Sequence, residues 1–244
     1  MQDLIYLPIL LLAAFIHGAL GFGFPLVATP LLVLFMELPA AILLTLVPTV
    51  SINLVSFFTE KRWREALHDF WPIPAFTIVG SMLGTQILLS VDPSPFRMLL
   101  ALVLIAYLAT ERLTGSKKEH QIPKWAMALF GLGLGLLAGV VNIFAPVIVI
   151  FALYTRMNPT LMVATFNMSF LTSKSGQIIG FIANKAFDMD VVLLTVAMIP
   201  LVLLSLWIGI RLRRKINQET YKQLLRGALW LIATALVADW FANG

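Results

Sequence analysis

Two interrupted apolar runs constrain this chain more than any other feature. Between Leu4 and Phe35 lie 32 residues in which His17 is the only side chain able to carry charge near neutral pH, and the run is broken at its centre by "HGALGFGFP". A second run, 125–154, has 30 residues and is broken at "GVVNIFAP" (139–146). A helix crosses a hydrocarbon core with roughly 20 residues, so each run is too long for one comfortable span. Each is also too short for two full spans and a turn. Glycine and proline in the middle leave three solutions: a long kinked span, a re-entrant hairpin of two shorter helices meeting near the midplane, or two short crossings.

Further apolar runs at 40–58, 70–91, 161–183, 191–210 and 224–241 place the chain among all-α, polytopic integral membrane proteins. It is 60% hydrophobic and 12% charged, a balance no soluble domain carries. The first run is expected to stay in place as a span: Asp3 stands where a signal peptide has its basic region, and no small-x-small cleavage site follows. With no cysteine, disulfides, thiolate metal sites and Cys nucleophiles are excluded. No metal and no cofactor is expected. The net charge of +5 is read as loop charge that orients the chain in the bilayer, not as a nucleic-acid surface.

The two broken runs belong to a duplication. Thr45, Thr49 and Asn53 recur as Thr165, Ser169 and Ser173 at a constant offset of 120, and Pro39 recurs as Pro159. Pro30 is matched to Pro146, Gly80 and Gly84 to Ser205 and Gly209, and Arg97 to Lys222. The expected organisation is a first transmembrane repeat (1–112), a cytoplasmic linker (113–123) and a second repeat (124–244), the common build of secondary transporters. Charge decides how the repeats are oriented. If each broken run is one span, Lys and Arg in the loops divide evenly between the two faces. If each returns or crosses twice, the halves are inverted. Thirteen then share one face (Lys61, Arg62, Arg64, Arg112, Lys117, Lys118, Lys124, Arg156, Arg211, Arg213, Arg214, Lys215, Lys222) and only Arg97 and Lys185 the other. The positive-inside rule selects the inverted repeats, each with a broken or re-entrant first segment and with both termini outside the cytoplasm.

Inside the membrane the breaks expose chemistry. Gly18, Gly21 and Gly23 permit a sharp turn and close helix approach, with Pro25 in the first turn of a new helix. In the second half Asn142 is expected to cap a helix whose early proline is Pro146. A helix that begins in mid-membrane presents unpaired N–H groups and its positive dipole end, and two such tips make an anion site. Thr45, Thr49 and Asn53, and Thr165, Ser169, Ser173 and Gln177, recur every four residues and so share a helix face. They are expected to line a pathway. Lys174 sits near the middle of 161–183, where a cation costs about 2.5–3.5 kcal/mol on insertion scales, and no Asp or Glu occurs in a core segment to pair with it. A bound anion is its natural counter-charge. His17, beside the first break, adds a group that exchanges protons near neutral pH. The candidate substrate-binding set is Lys174, Gly21, Gly23, Asn142, Asn53, Thr49, Ser169, Ser173, Gln177 and His17.

A small-residue break followed by "PLLVLF", a second helix rich in Pro, Thr and Ser, and a third with G-x-x-x-G, all duplicated, resemble the sulfite exporter TauE/SafE family of permeases. The resemblance runs from about residue 4 to 241 and implies a multi-pass protein of the bacterial inner membrane that moves sulfur oxyanions or organosulfonates. It puts Gly18, Gly21, Gly23 and Pro30 on the family's first glycine-rich motif and Gly135, Gly139 and Pro146 on the second. Here the glycine cluster is reduced to "GFGF" and replaced by "VVNIFAP", so Phe22, Phe24, Ile143 and Phe144 reshape the site. The expected function is a permease for small anions working by alternating access around a midplane site; the alternative is an anion channel or a non-transporting scaffold. An enzyme is not expected, because the core segments hold no paired carboxylates and no nucleophile or zinc motif. Its partners are a small anion and the lipid bilayer, without nucleic acid.

Single cysteines at Ser116 and Gln218 should react with an impermeant thiol reagent from the cytoplasmic side only. Those at Asp92 and Asp188 should react from outside. Labelling of Ser116 and Gln218 from opposite faces would refute the inverted orientation.

Overall fold

The computed structural model describes residues 3–59, 62–110, 122–212, 226–227 and 229–238, and all regular structure among them is helical. The helices are α1 (Asp3–Leu20), α2 (Phe24–Val33), α3 (Leu38–Thr59), α4 (Trp63–Asp69), α5 (Pro72–Ser90), α6 (Ser94–Thr110), α7 (Lys124–Val141), α8 (Ala145–Tyr154), α9 (Pro159–Ala183), α10 (Met189–Leu212) and α11 (Leu229–Ala238). Four of them, α3, α5, α7 and α10, are long and apolar enough to cross a bilayer unaided. The chain is a multi-pass membrane protein. Most of the linker at 113–123, and with it Lys117 and Lys118, lies outside the described residues, as do Lys61, Arg112, Arg213, Arg214, Lys215 and Lys222.

Both long runs break as the glycines and Asn142 allow. In each, an 18-residue helix is followed by a 10-residue one. The first turn is made at Gly21 (φ 89°) and Gly23 (φ 108°), the second at Asn142 (φ 64°). These are left-handed conformations that glycine adopts freely and asparagine more readily than most other residues. Proline is the second residue of both short helices, Pro25 in α2 and Pro146 in α8, where its missing N–H costs nothing. Pro146 therefore corresponds to Pro25. Pro30, its expected match, lies inside α2.

Each broken pair is a hairpin that returns to the end it came from. A cavity of about 330 Å³ is lined at once by Tyr6 of α1, Met36 after α2, Pro39 of α3, Leu89 of α5 and Asp188 before α10. These segments share one end of the bundle. There, Arg97 pairs with Glu37 at 3.1 Å and Gln86 exchanges two hydrogen bonds with Asn184. At the opposite end, Phe130 of α7 stacks on Phe151 of α8 at 4.6 Å, Phe70 just before α5 meets Phe151 edge-on at 6.2 Å, and Gly131 of α7 lies against Ile73 of α5. Lys124 lies over Trp71, and Phe57 and Ala66 meet Leu161 and Ala164. Consequently α3 and α9 run in opposite directions, as do α5 and α10. Among described residues, Arg62, Arg64, Lys124, Arg156 and Arg211 fall at the second end, and Arg97 and Lys185 at the first.

The halves interleave. Helix α5 lies between α7 and α9, and α10 packs on α1 and α3. Glycine sets the approach. A Cβ on Gly135 would sit 2.7 Å from the Ser81 nitrogen and 2.8 Å from the Gly80 Cα, and one on Gly139 would sit 2.7 Å from the Gly84 Cα. Without a hydrophobic driving force between helices in lipid, such backbone-to-backbone contact is what holds them together. The α1–α10 crossing uses Gly18 against Gly209, reinforced by the Ser205 hydroxyl donating to the Leu11 carbonyl at 2.7 Å.

Gly135→Ala should lower the thermal midpoint in detergent by the equivalent of about 1–3 kcal/mol, since neither backbone can give way. Gly133→Ala, where a Cβ meets nothing within 4 Å, should be neutral or stabilising. Equal melting of the two variants would remove the close crossing as a source of stability.

Candidate functional site

The polar residues collect at the two breaks and on the helices that bridge them. At the second break Asn142 is the hub. Its amide donates to the hydroxyls of Thr29 (2.7 Å) and Thr45 (3.0 Å). Its oxygen accepts from the Lys174 ammonium and from Gln177 Nε2 (3.3 Å). Two donors and two lone pairs are thus all in use. Gln177 also accepts from Lys174 at 2.6 Å and donates to the Ala138 carbonyl at 2.8 Å. All these side chains are buried, and Lys174 is fully so. Asn142 was expected to cap the start of a helix; it instead closes the end of α7 in a left-handed conformation, with its N–H on the Ala138 carbonyl. That geometry frees its side chain to reach across to α2, α3 and α9.

The first break is held differently. The Phe24 N–H donates to His17 Nδ1 at 3.3 Å, and His17 Nε2 lies 3.0 Å from the Ser56 hydroxyl. Because a backbone N–H can only donate, Nδ1 is bare and the ring is the neutral Nε2–H tautomer. Asn167 Nδ2 donates to the Gly21 carbonyl (3.0 Å) and to Val163 (2.8 Å). The leading N–H of α2 is therefore occupied by imidazole, whereas the sequence suggests an open tip.

These anchors fix the level of every polar side chain. Thr45 and Gln177 both meet Asn142, while Ser56 and Asn167 meet the first break. Ten or eleven residues separate the two points on each helix, so the breaks lie about 15 Å apart along α3 and α9. They do not meet at the midplane. Each passes it from its own side, and no single anion touches both tips. Counting turns inward puts Thr49 level with Ser173 and Asn53 level with Ser169, between the breaks.

That stretch is closed. Thr45, Thr49, Asn53, Thr165, Ser169, Ser173 and Gln177 are at most 1% exposed. Most of their donors turn back on their own helix: Thr49 to the Thr45 carbonyl, Asn53 Nδ2 to Thr49, Thr165 to Leu161, Ser173 to Phe170. Asn53 Oδ1, Ser169 Oγ and Asn167 Oδ1 have no partner, which for buried polar atoms is costly. Of the candidate residues, Lys174, Asn142 and Gln177 form one cluster, and His17 and Gly21 another with Asn167 and Ser56. Gly23 serves the backbone turn. Thr49, Asn53, Ser169 and Ser173 lie between.

Thr29, Ser56 and Asn167 escaped the sequence reading. They lie off the four-residue stripes, and only Asn167, an amide within an apolar run, carried a signal. The stripe Thr77, Ser81 and Thr85 on α5 was missed as well, although its spacing of four is plain. It is buried, and Thr77 meets Thr172 at 2.7 Å.

Aromatic pairs flank both breaks on α9: Phe22 meets Phe166 edge-on at 5.1 Å, and Phe144 stacks on Phe170 at 4.0 Å. The phenylalanines that replace glycine in the breaks thus pack as wall, not as lining of an open space. Among described residues no group of His, Cys, Asp and Glu is arranged to hold a metal.

The family model described as sulfite exporter TauE/SafE matches residues 6–236. No curated protein and no solved structure matches the chain.

Asn142→Gly keeps the left-handed turn and loses only the hub's hydrogen bonds, so it should cost about 1–3 kcal/mol in thermal unfolding. Asn142→Leu loses the same bonds and adds backbone strain, and should melt lower still. If the leucine variant is the more stable, the turn is not what selects asparagine.

Proposed function

We propose, from the premise that this chain belongs to the sulfite exporter TauE/SafE family, that it is a permease carrying a small sulfur oxyanion past Lys174. The family implies a sulfur-anion permease of the membrane. The finer reading rests on one observation: a fully buried ammonium whose two acceptors, Asn142 and Gln177, are both neutral. An ammonium has three donors, and one of these is uncommitted among the described residues. The described core segments offer it no carboxylate. An anion supplies the missing charge and takes the third N–H, and the unpartnered Ser169 hydroxyl is a further donor on the same helix.

A rival role for Lys174 has its own support. The ammonium lies at the carboxyl end of α7, where helix carbonyls present a negative pole that a cation stabilises. A purely structural lysine would serve there. The two roles separate experimentally, because only one of them depends on added anion.

Alternating access fits the closed stripe. The 330 Å³ cavity is lined by Leu43, Leu44 and Phe181, and Phe181 follows Gln177 by one helical turn. The cavity thus stops just short of the polar cluster. Opposed α3 and α9 and matching hairpins support two inverted repeats, with the site between them and rocking of one against the other. The grouping of basic residues at one end supports placing that end in the cytoplasm and both termini outside, in a bacterial inner membrane.

Sulfite, or a small sulfonate, should stabilise the purified protein, so that its melting temperature rises with the logarithm of anion concentration above Kd. Lys174→Met keeps length and removes charge. It should fold and lose this stabilisation, a drop in affinity of about tenfold or more. Lys174→Arg should also bind poorly, since a planar guanidinium does not replace a compact ammonium between two amides. Wild-type anion stabilisation in the methionine variant would leave Lys174 a structural residue.

A further inference from the structure

At the first break the group that accepts the leading N–H of the short helix can itself take a proton. We infer that His17 is a proton-binding site that releases α2 from the end of α1, and so links proton binding to the anion path. The second break is tied by Asn142, an amide that does not titrate. The first is tied by an imidazole whose bare Nδ1 accepts the leading N–H of α2 at 3.3 Å.

Protonation balances simply. A proton from water adds to the Nδ1 lone pair, which thereby ceases to be an acceptor. The Phe24 N–H loses its partner and faces an N–H and a positive charge, both unfavourable at a helix amino terminus. Nε2–H keeps the Ser56 hydroxyl at 3.0 Å. The candidate acceptor for the new Nδ1–H is Asn167, whose amide holds the Gly21 carbonyl of the same break and whose Oδ1 is buried without a hydrogen bond. That idle oxygen is an unmet cost in the neutral state, and the protonated state uses it.

The surroundings add no competing charge of opposite sign. Helices α2 and α3 carry no charged side chain, and α9 carries only Lys174, two turns beyond Asn167. On α1 itself Asp3 is at the far end. On α10, Asp190 is at the far end and Arg211 is exposed and stacked on Trp207. A proton at His17 therefore adds to the charge of Lys174, and an anion bound between them favours both. Binding linkage makes the effect mutual. This coupling rests on the permease reading, while the latch itself does not.

Amide hydrogen exchange of the reconstituted protein separates the two breaks. On going from about pH 8 to about pH 5.5, exchange in 18–30, corrected for intrinsic rates, should rise about tenfold. Any response of 139–150, where Lys174 donates to Asn142, should be unaffected by substitution of His17. His17→Gln, which can accept from Phe24 and donate to Ser56 but cannot titrate, should abolish the response. In a second preparation His68→Gln and His120→Gln leave His17 as the sole histidine. Nitrogen NMR should show its Nε2–H tautomer giving way to imidazolium over the pH range in which 18–30 opens. A response of 18–30 that survives His17→Gln, or a histidine that stays neutral while α2 opens, would each overturn the latch. With methanesulfonate, which stays ionised throughout, wild type should move protons together with the anion, and His17→Gln the anion alone. Anion flux without protons in wild type overturns the coupling. Absence of any methanesulfonate flux counts against the sulfonate permease reading, while the exchange result still decides the latch.

Discussion

An interrupted helix in hydrocarbon must find partners for its freed backbone groups from within the protein, because no water or loop surface is there to supply them. The two breaks at 21–23 and 142–144 impose that demand, and much of the buried polarity of the molecule answers it. Asn167 takes the Gly21 carbonyl, Gln177 the Ala138 carbonyl, and His17 the Phe24 N–H. Asn142 is itself held by Thr29 and Thr45. Each break is thus tied down by a long helix from the opposite half of the chain, α9 for the first and α3 for the second. Neither half satisfies its own interruption alone.

Interleaving follows from the same requirement and is made possible by glycine. The carbonyls of Ile73, Thr77 and Ser81 lie where side chains on Gly131, Gly135 and Gly139 would have to be. Helix α5 is thereby held against α7 along its length, and Gly176 and Gly180 bring α9 onto its other side. The corresponding α1–α10 crossing has only Gly18 and Gly209 and uses a serine hydroxyl bond in addition. The two crossings are related in plan but not in tightness. One seam of the bundle is held by four mutually packed glycines and the other by fewer.

Charge is the remaining tension. Lys174 is buried with amide oxygens and the carboxyl end of α7 around it, a set that solvates an ammonium without neutralising it. An ammonium solvated in this way can still take an anion, whereas one fully paired with a carboxylate would have little to offer it. The aromatic walls act in the same sense. Phe144 on Phe170 and Phe22 on Phe166 wall the buried region between the breaks, and burial strengthens any electrostatic interaction formed there.

Composition and apolar run length were enough, in the sequence, for an all-helical membrane protein with interrupted first segments, because hydrocarbon admits few alternatives. Spacing of four was enough to place Thr45 through Asn53 and Thr165 through Gln177 on single helix faces, and the isolation of Lys174 among apolar residues marked it as exceptional. These are local properties, set by the helix period and the cost of a buried charge. The tertiary structure decided everything that depends on which helix faces which. It moved the matched proline from Pro30 to Pro25, turned Asn142 from a cap of α8 into the terminus of α7, and set the breaks about 15 Å apart instead of tip to tip. It also brought in Asn167, Ser56 and Thr29, which no periodicity marks. Hydrogen-bond partners at a break come from residues more than a hundred positions away, as Thr29 and Gly21 do. Sequence spacing carries no information about such distances, and only the packed helices fix them.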